Sequence, residues 1–121
     1  MPENHSILVV EDDQDVREAM VQVLESEGYV AVPAGDGEEA VDRLRDGLEP
    51  CLILLDLMMP RMDGWQFIEH QRQQQSSIPI VVVSAYGSGE QVRATGIAEY
   101  MRKPVDIDAL LALVARFCAK Q

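Results

Sequence analysis

Three short runs of the chain, residues 7–10 (ILVV), 51–55 (CLILL) and 80–83 (IVVV), are apolar at every position, where a strand with one wet face would alternate. A strand without a polar side must be covered on both faces, which points to a parallel sheet with helices packed on each side. Residues 29–33 and 98–101 supply two weaker stretches of the same kind, making five. Four of the five run into a reactive or charged side chain: the first ends at Glu11 and Asp12, the third at Asp56, the fourth at Ser84, and the fifth stops just before Lys103. Parallel strands share one carboxyl edge, and the crevice outside that edge is where open α/β sheets bind ligands. The pattern therefore predicts three carboxylates, a hydroxyl and an ammonium converging on one rim.

The segments between the strands carry the helical period. In residues 14–27, Val16, Ala19, Met20, Val23 and Leu24 form one stripe, and Gly28 follows as a stop signal. Asp36 reads as the cap of a second helix, with Glu39 three residues later and Ala40, Val41 and Leu44 toward the core. A third helix over residues 64–74 is expected to bury Trp65 and Ile68, with a polar, fraying tail over residues 71–77. Residues 87–96 make the poorest helix candidate, offering Val92 and Ala94 among three glycines, and the expectation is a mobile element. The last helix, capped by Asp106, aligns Ile107, Leu110, Leu111, Val114 and Cys118. Strands and helices thus alternate five times, giving a doubly wound α/β fold with right-handed crossovers and helices on both faces of a five-stranded parallel sheet.

A length of 121 residues fits one domain, residues 1–121, with one respectable core. The net charge of −11 argues against nucleic-acid binding, because a duplex requires a basic face to displace its counterions. No stretch approaches a membrane span and the first residues lack a signal-peptide pattern, so no membrane association and a cytoplasmic location are expected. Two cysteines, Cys51 and Cys118, are too few and too separated for a disulfide framework, and they read as buried free thiols. His5 and His70 read as surface residues without a partner pattern.

The chemistry of the predicted rim is demanding. At an effective dielectric near 20, two unit charges ~4 Å apart repel by about 4 kcal/mol, so Glu11, Asp12 and Asp56 need a cation between them. An oxygen-only donor set suits Mg²⁺, which takes one or two carboxylates together with waters and phosphate oxygens.

Five separated motifs then carry a resemblance. Residues 7–13 (ILVVEDD), 54–64 (LLDLMMPRMDG), 83–85 (VSA) and Lys103-Pro104, with Tyr100 before them, resemble the receiver domain of two-component response regulators, of the chemotaxis type with a single domain, across essentially the whole chain. The resemblance implies a flavodoxin-like strand order 2-1-3-4-5. It makes Asp56 the phosphoacceptor, and it assigns Mg²⁺ to Asp12, Asp56 and the backbone carbonyl of Met58, with Glu11 acting through a coordinated water. Lys103 and Ser84 would contact phosphoryl oxygens. Ser84 and Tyr100 would form the switch, moving inward together on phosphorylation and altering the surface of helix 4, strand 5 and helix 5. Pro60 and Gly64 match the loop-shaping pair, and Pro104 follows a bond that is cis in that family. The implied partners are a histidine kinase or histidine phosphotransfer protein and a downstream effector protein, with a phosphorylation-dependent dimer as a further form. The sequence departs from the family's commonest pattern in having Glu-Asp for the acidic pair, Ser for Thr at position 84 and Val105 where Phe is frequent.

Two other classes compete. An Mg²⁺-dependent phosphatase working through an aspartyl phosphate would want a second Asp two residues after the nucleophile, and Met58 stands there, so the expectation is a phosphoacceptor rather than a turnover enzyme. A degenerate scaffold would have lost part of the acceptor, acidic pair, hydroxyl and lysine set, which is intact. With no output segment after Gln121, the chain is expected to act by docking to a partner, or to be a receiver module of a longer protein.

Overall fold

The computed structural model describes residues 6–85, 87 and 89–118; His5 lies outside them. Five strands alternate with five helices: β1 Ser6–Val10, α1 Gln14–Ser26, β2 Val30–Ala34, α2 Gly37–Arg45, β3 Leu52–Leu55, α3 Gly64–Gln73, β4 Ile80–Ser84, α4 Gly89–Arg93, β5 Glu99–Arg102 and α5 Ile107–Phe117. All neighbouring strands are parallel and the order is β2-β1-β3-β4-β5, as expected. Strands β3 and β4 are buried along their whole lengths, in keeping with their apolar runs 52–55 and 80–83. Pro33 is accommodated on edge strand β2, opposite Val9, where its missing N–H need not break a central ladder.

Successive strand residues serve opposite faces. Ile7, Val9, Leu52, Leu54, Val81 and Val83 pack with Met20 and Leu24 of α1 and with Leu110, Leu113 and Val114 of α5. Leu8, Val10, Ile53, Leu55 and Val82 pack with Ala40 and Val41 of α2, Phe67 and Ile68 of α3, and Val92 of α4. The helices are therefore divided two and three across the sheet.

Several expectations are corrected by helical phase. Helix α3 starts at Gly64 and buries Ile68 as expected, but the face it turns to the core is Gly64, Phe67, Ile68 and Gln71, at i, i+3, i+4 and i+7; Trp65 is half-buried and Gln71 belongs to the core rather than to a fraying tail. His70 on the same helix is half-buried, not a surface residue, and its Nδ1 is enclosed without a hydrogen-bond partner among the described residues. On α5 the buried face is Leu110, Leu113 and Val114, while Ile107 in the first turn is exposed. In α1, Ala19 is exposed and Val21 packs partly on the core.

The cysteine expectation is overturned. Cys51 and Cys118 form a disulfide across a sequence separation of 67, with their Cα atoms 5.6 Å apart. Helix α5 starts just beyond the carboxyl end of β5 and packs back along the β1/β3 face, so its last turn arrives over the amino end of β3, where Cys51 lies. Separation along the chain carries no information about that encounter, and the argument from free thiols to compartment falls with it.

Candidate functional site at the carboxyl edge of the sheet

Local capping shapes the first half of the site. Asp13 is the N-cap of α1, its Oδ1 accepting from the amides of Asp15 at 3.0 Å and Val16 at 3.2 Å. The turn this imposes directly after β1 leaves Asp12 exposed and Glu11 inside, at 2% exposure. Glu11 is held at both ends: its carbonyl accepts from Arg17 Nη1 at 2.8 Å, and its Oε2 accepts from the Asp13 amide at 3.2 Å.

On the next strand, the Asp56 amide donates to the Val10 carbonyl at 3.0 Å, continuing the β1/β3 ladder to the rim. Asp56 is buried, at 6% exposure, and its Oδ1 accepts from the Leu57 amide at 2.8 Å. The loop that follows folds back so that the Gly64 amide donates to the Leu57 carbonyl at 2.9 Å. A Cβ at position 64 would lie 2.4 Å from the Asp56 carbonyl oxygen, so only glycine permits this approach.

Lys103 closes the site from β5. Its amide donates to the Ser84 carbonyl at 3.1 Å, and the bond to Pro104 is cis, as the family pattern implies. Its Nζ donates to Glu11 Oε1 through a short bond and lies 3.5 Å from Asp56 Oδ2. One carboxylate oxygen from each of Glu11, Asp12 and Asp56 falls within 4.8 Å of the others.

These contacts set the charge states. Burial is the main cause that pushes the Glu11 carboxyl up to about 7, with the Lys103 hydrogen bond working against it and the neighbouring Asp56 charge adding to it. Burial alone would lower the Lys103 ammonium, but the hydrogen bond and charge of Glu11, followed by Asp56, outweigh this and raise it. Lys103 offsets one of the three acids. The remaining oxygen-rich, sulfur-free and nitrogen-free donor set has the chemistry of a Mg²⁺ site.

Of the other expected residues, Ser84 is fully buried as the last residue of β4, one strand from Asp56. Met58 lies in the loop after β3 and is 51% exposed. Tyr100 is half-buried against the α2/α3/α4 side, and its hydroxyl donates to the Gly87 carbonyl at 3.3 Å. Arg102 Nη1 reaches the same carbonyl at 3.3 Å, tying β5 to the segment before α4. Sequence reasoning missed Arg17 as the brace of Glu11. Its position four residues after Asp13, on the first turn of α1, was the available signal.

An apolar hollow of about 520 Å³ borders Lys103, lined by Val16, Ala19 and Met20 of α1 and by Pro104, Val105 and Ile107.

Comparison with known proteins places the chain in a family. The family model for the response regulator receiver domain matches residues 7–115. The chain is 37% identical to response regulator Rre1 of Synechocystis sp., with 100% of this chain and 54% of that protein covered. It is 41% identical to the phosphate regulon transcriptional regulatory protein PhoB of Escherichia coli, over 89% of this chain and 49% of that protein. It thus spans about half the length of both relatives. A response regulator receiver protein of Pseudomonas putida superposes with a TM-score of 0.89 at 32% identity, covering 96% of this chain and 99% of that one. The chain belongs to the response regulator receiver domain family, the signalling-switch module of two-component systems.

Proposed function

We propose that residues 1–121 act as one receiver domain in which Asp56 accepts a phosphoryl group from a histidine kinase or histidine phosphotransfer protein. The observation that carries this reading is a carboxylate buried at the rim, with an ammonium 3.5 Å away and two further acids beside it. In the transfer, the P–N bond of the donor's phosphohistidine breaks as an O–P bond to Asp56 forms, and the electron pair of the broken bond remains on the imidazole. Little covalent assistance is needed, so catalysis is mostly positioning and charge stabilisation.

Asp12, Asp56 and the Met58 carbonyl would hold Mg²⁺, with Glu11 acting through water. Bound there, the ion supplies positive charge to the phosphoryl oxygens and draws the crowded carboxylates together. Lys103 supplies a fixed positive charge from the other side, and Ser84 a neutral donor to another phosphoryl oxygen. Tyr100, which shares the Gly87 carbonyl with Arg102, is the companion of Ser84 in the switch. Inward movement of the two would release that carbonyl and reshape the α4/β5/α5 surface for an effector protein, or for a phosphorylation-dependent dimer.

The apolar hollow beside Lys103 gives a donor protein a place to rest while its histidine reaches Asp56. The domain assists its own phosphorylation and dephosphorylation without being a turnover enzyme, since Met58 stands where a phosphatase of this type carries its acid and base. The cytoplasm is the compartment this chemistry implies, and there the Cys51–Cys118 bond would face a reducing thiol pool. Among the described residues no helix is long and apolar enough to cross a membrane.

The experiment is to incubate the protein with Mg²⁺ and an acyl phosphate and to follow the labelled product. Wild-type protein should take up one acid-stable, base-labile phosphoryl group, and Asp56→Asn should take up none. Equal labelling of the variant would overturn the assignment.

A further inference from the structure

The loop from Asp56 to Asp63 is tied to a neighbouring turn by Arg61, which lies outside the acid cluster. Arg61 lies on the loop's descending limb with φ at +62°, in the left-handed region that a non-glycine residue enters only when its surroundings hold it there. Its guanidinium crosses to the turn between β2 and α2, where Nη2 bonds Asp36 Oδ2 and Nε lies 3.4 Å from Glu38 Oε1. Asp36 is only 2% exposed, and its other oxygen is committed to capping α2 through the Glu39 amide at 2.9 Å. A second link lies beside the first: the Gly37 amide donates to the Met62 carbonyl at 2.9 Å. A Cβ at Gly37 would sit 2.6 Å from that oxygen, so the two loops are in direct contact.

Both loops border the acid cluster. The β2–α2 turn is tied to Glu11, whose amide donates to the Ala34 carbonyl at 3.0 Å, two residues before Asp36. The β3–α3 loop begins at Asp56 and carries Met58. Held at one end by the strand and at the other by Arg61, the exposed stretch between them has its path fixed from both sides. A buried carboxylate is a costly anchor unless it is paired, so the Asp36–Arg61 contact has one geometry that satisfies it.

We infer that Arg61, through Asp36, is a positioning residue that fixes the β3–α3 loop and thereby sets the affinity of the acid cluster for Mg²⁺. This inference rests on the proposed metal site and adds to it the residue that orders its loop ligand. Groups that act behind metal ligands typically change affinity by about 10- to 100-fold. Arg61 is solvent-accessible, so the lower end of that range, about tenfold, is expected.

The test is a Mg²⁺ titration of the full chain by calorimetry, with the fluorescence of the sole tryptophan, Trp65, as a second reading. Arg61→Gly removes the guanidinium while placing at +62° a residue that is relaxed there, and Asp36→Asn removes the charge while retaining a capping oxygen. Each should weaken Mg²⁺ binding about tenfold, and the double variant should be no weaker than either single one. Arg61→Lys should recover part of the loss. Thermal unfolding without metal should show Arg61→Gly folded at the titration temperature. Wild-type uptake with unchanged affinity in both single variants, or fully additive losses in the double variant, would overturn the role of Arg61 and leave the site standing. A wild-type protein that takes up no Mg²⁺ would overturn the site, and this inference with it.

Discussion

At the scale of single residues, Glu11 is the group on which the acid cluster turns. Its carboxyl is pushed from 4.5 to about 7 chiefly by burial. Below pH 4.5 it is protonated whether the chain is folded or not. Between pH 4.5 and about 7 the unfolded chain loses this proton while the folded one keeps it, so the contribution of Glu11 to stability falls as pH rises through that window. The metal-free protein should therefore lose stability between pH 5 and pH 7.5, and Glu11→Gln should flatten that slope, as denaturant titrations at a series of pH values would reveal. A slope equal in the variant would show that Glu11 is not the group responsible. Addition of Mg²⁺ should restore stability most at the alkaline end, where the carboxylate is already ionised.

The convergence of Glu11, Asp12, Asp56 and Lys103 was legible because they stand where or just after the strand runs end. Arg61 and Asp36 were not. Their meeting depends on the path of two loops, and nothing in the sequence across that separation of 25 announces it.

At the scale of elements, α4 and α5 form a contrast. Helix α4 has five residues and buries Val92 alone, whereas α5 has eleven and buries Leu110, Leu113 and Val114. A helix so short owes its stability to tertiary contacts, and here they are few. Amides of Gln91 to Arg93 should exchange with solvent faster than those of Leu113 to Arg116, measured by hydrogen–deuterium exchange. Equal protection would contradict the assignment of α4 to the low-stability end of the structure.

Helix α5 is further secured by the disulfide. Closing a loop of this span constrains the unfolded chain by roughly 2–4 kcal/mol, so Cys118→Ser should lower the unfolding free energy by about that much. Wild-type protein in a dithiol reductant should fall to the same level, and a variant as stable as the oxidised wild type would show that the bond contributes nothing. Apart from α4, which ends three residues short of the expected segment, element boundaries came within a residue or two of expectation, because apolar runs and caps mark them. Which helix face is buried was less legible. The start of α3 at Gly64 matched expectation, but its inner face did not: Gly64, Phe67, Ile68 and Gln71 turn to the core and Trp65 stays half-buried.

At the scale of the whole molecule, the parallel sheet brings the ends of β1, β3, β4 and β5 to one rim, and the arrangement of their terminal residues is the proposed basis of the switch. Moving such an equilibrium from mostly off to mostly on requires about 5.5 kcal/mol of differential stabilisation. A new phosphoryl group contacting Lys103 and Ser84 is the proposed source of it, and the Tyr100 and Arg102 contacts to Gly87 are what it would rearrange. The overall topology was legible from the alternation of elements and the unbroken apolar strands. The disulfide between opposite ends of the chain's second and last thirds was not, since only the folded path brings Cys51 and Cys118 together.

The most direct measurement is the intact mass of the wild-type protein after exposure to an acyl phosphate, with Mg²⁺ and with a chelator in its place. The account predicts a single added phosphoryl group in the first condition and almost none in the second. Equal uptake in both conditions, or no uptake in either, would contradict it.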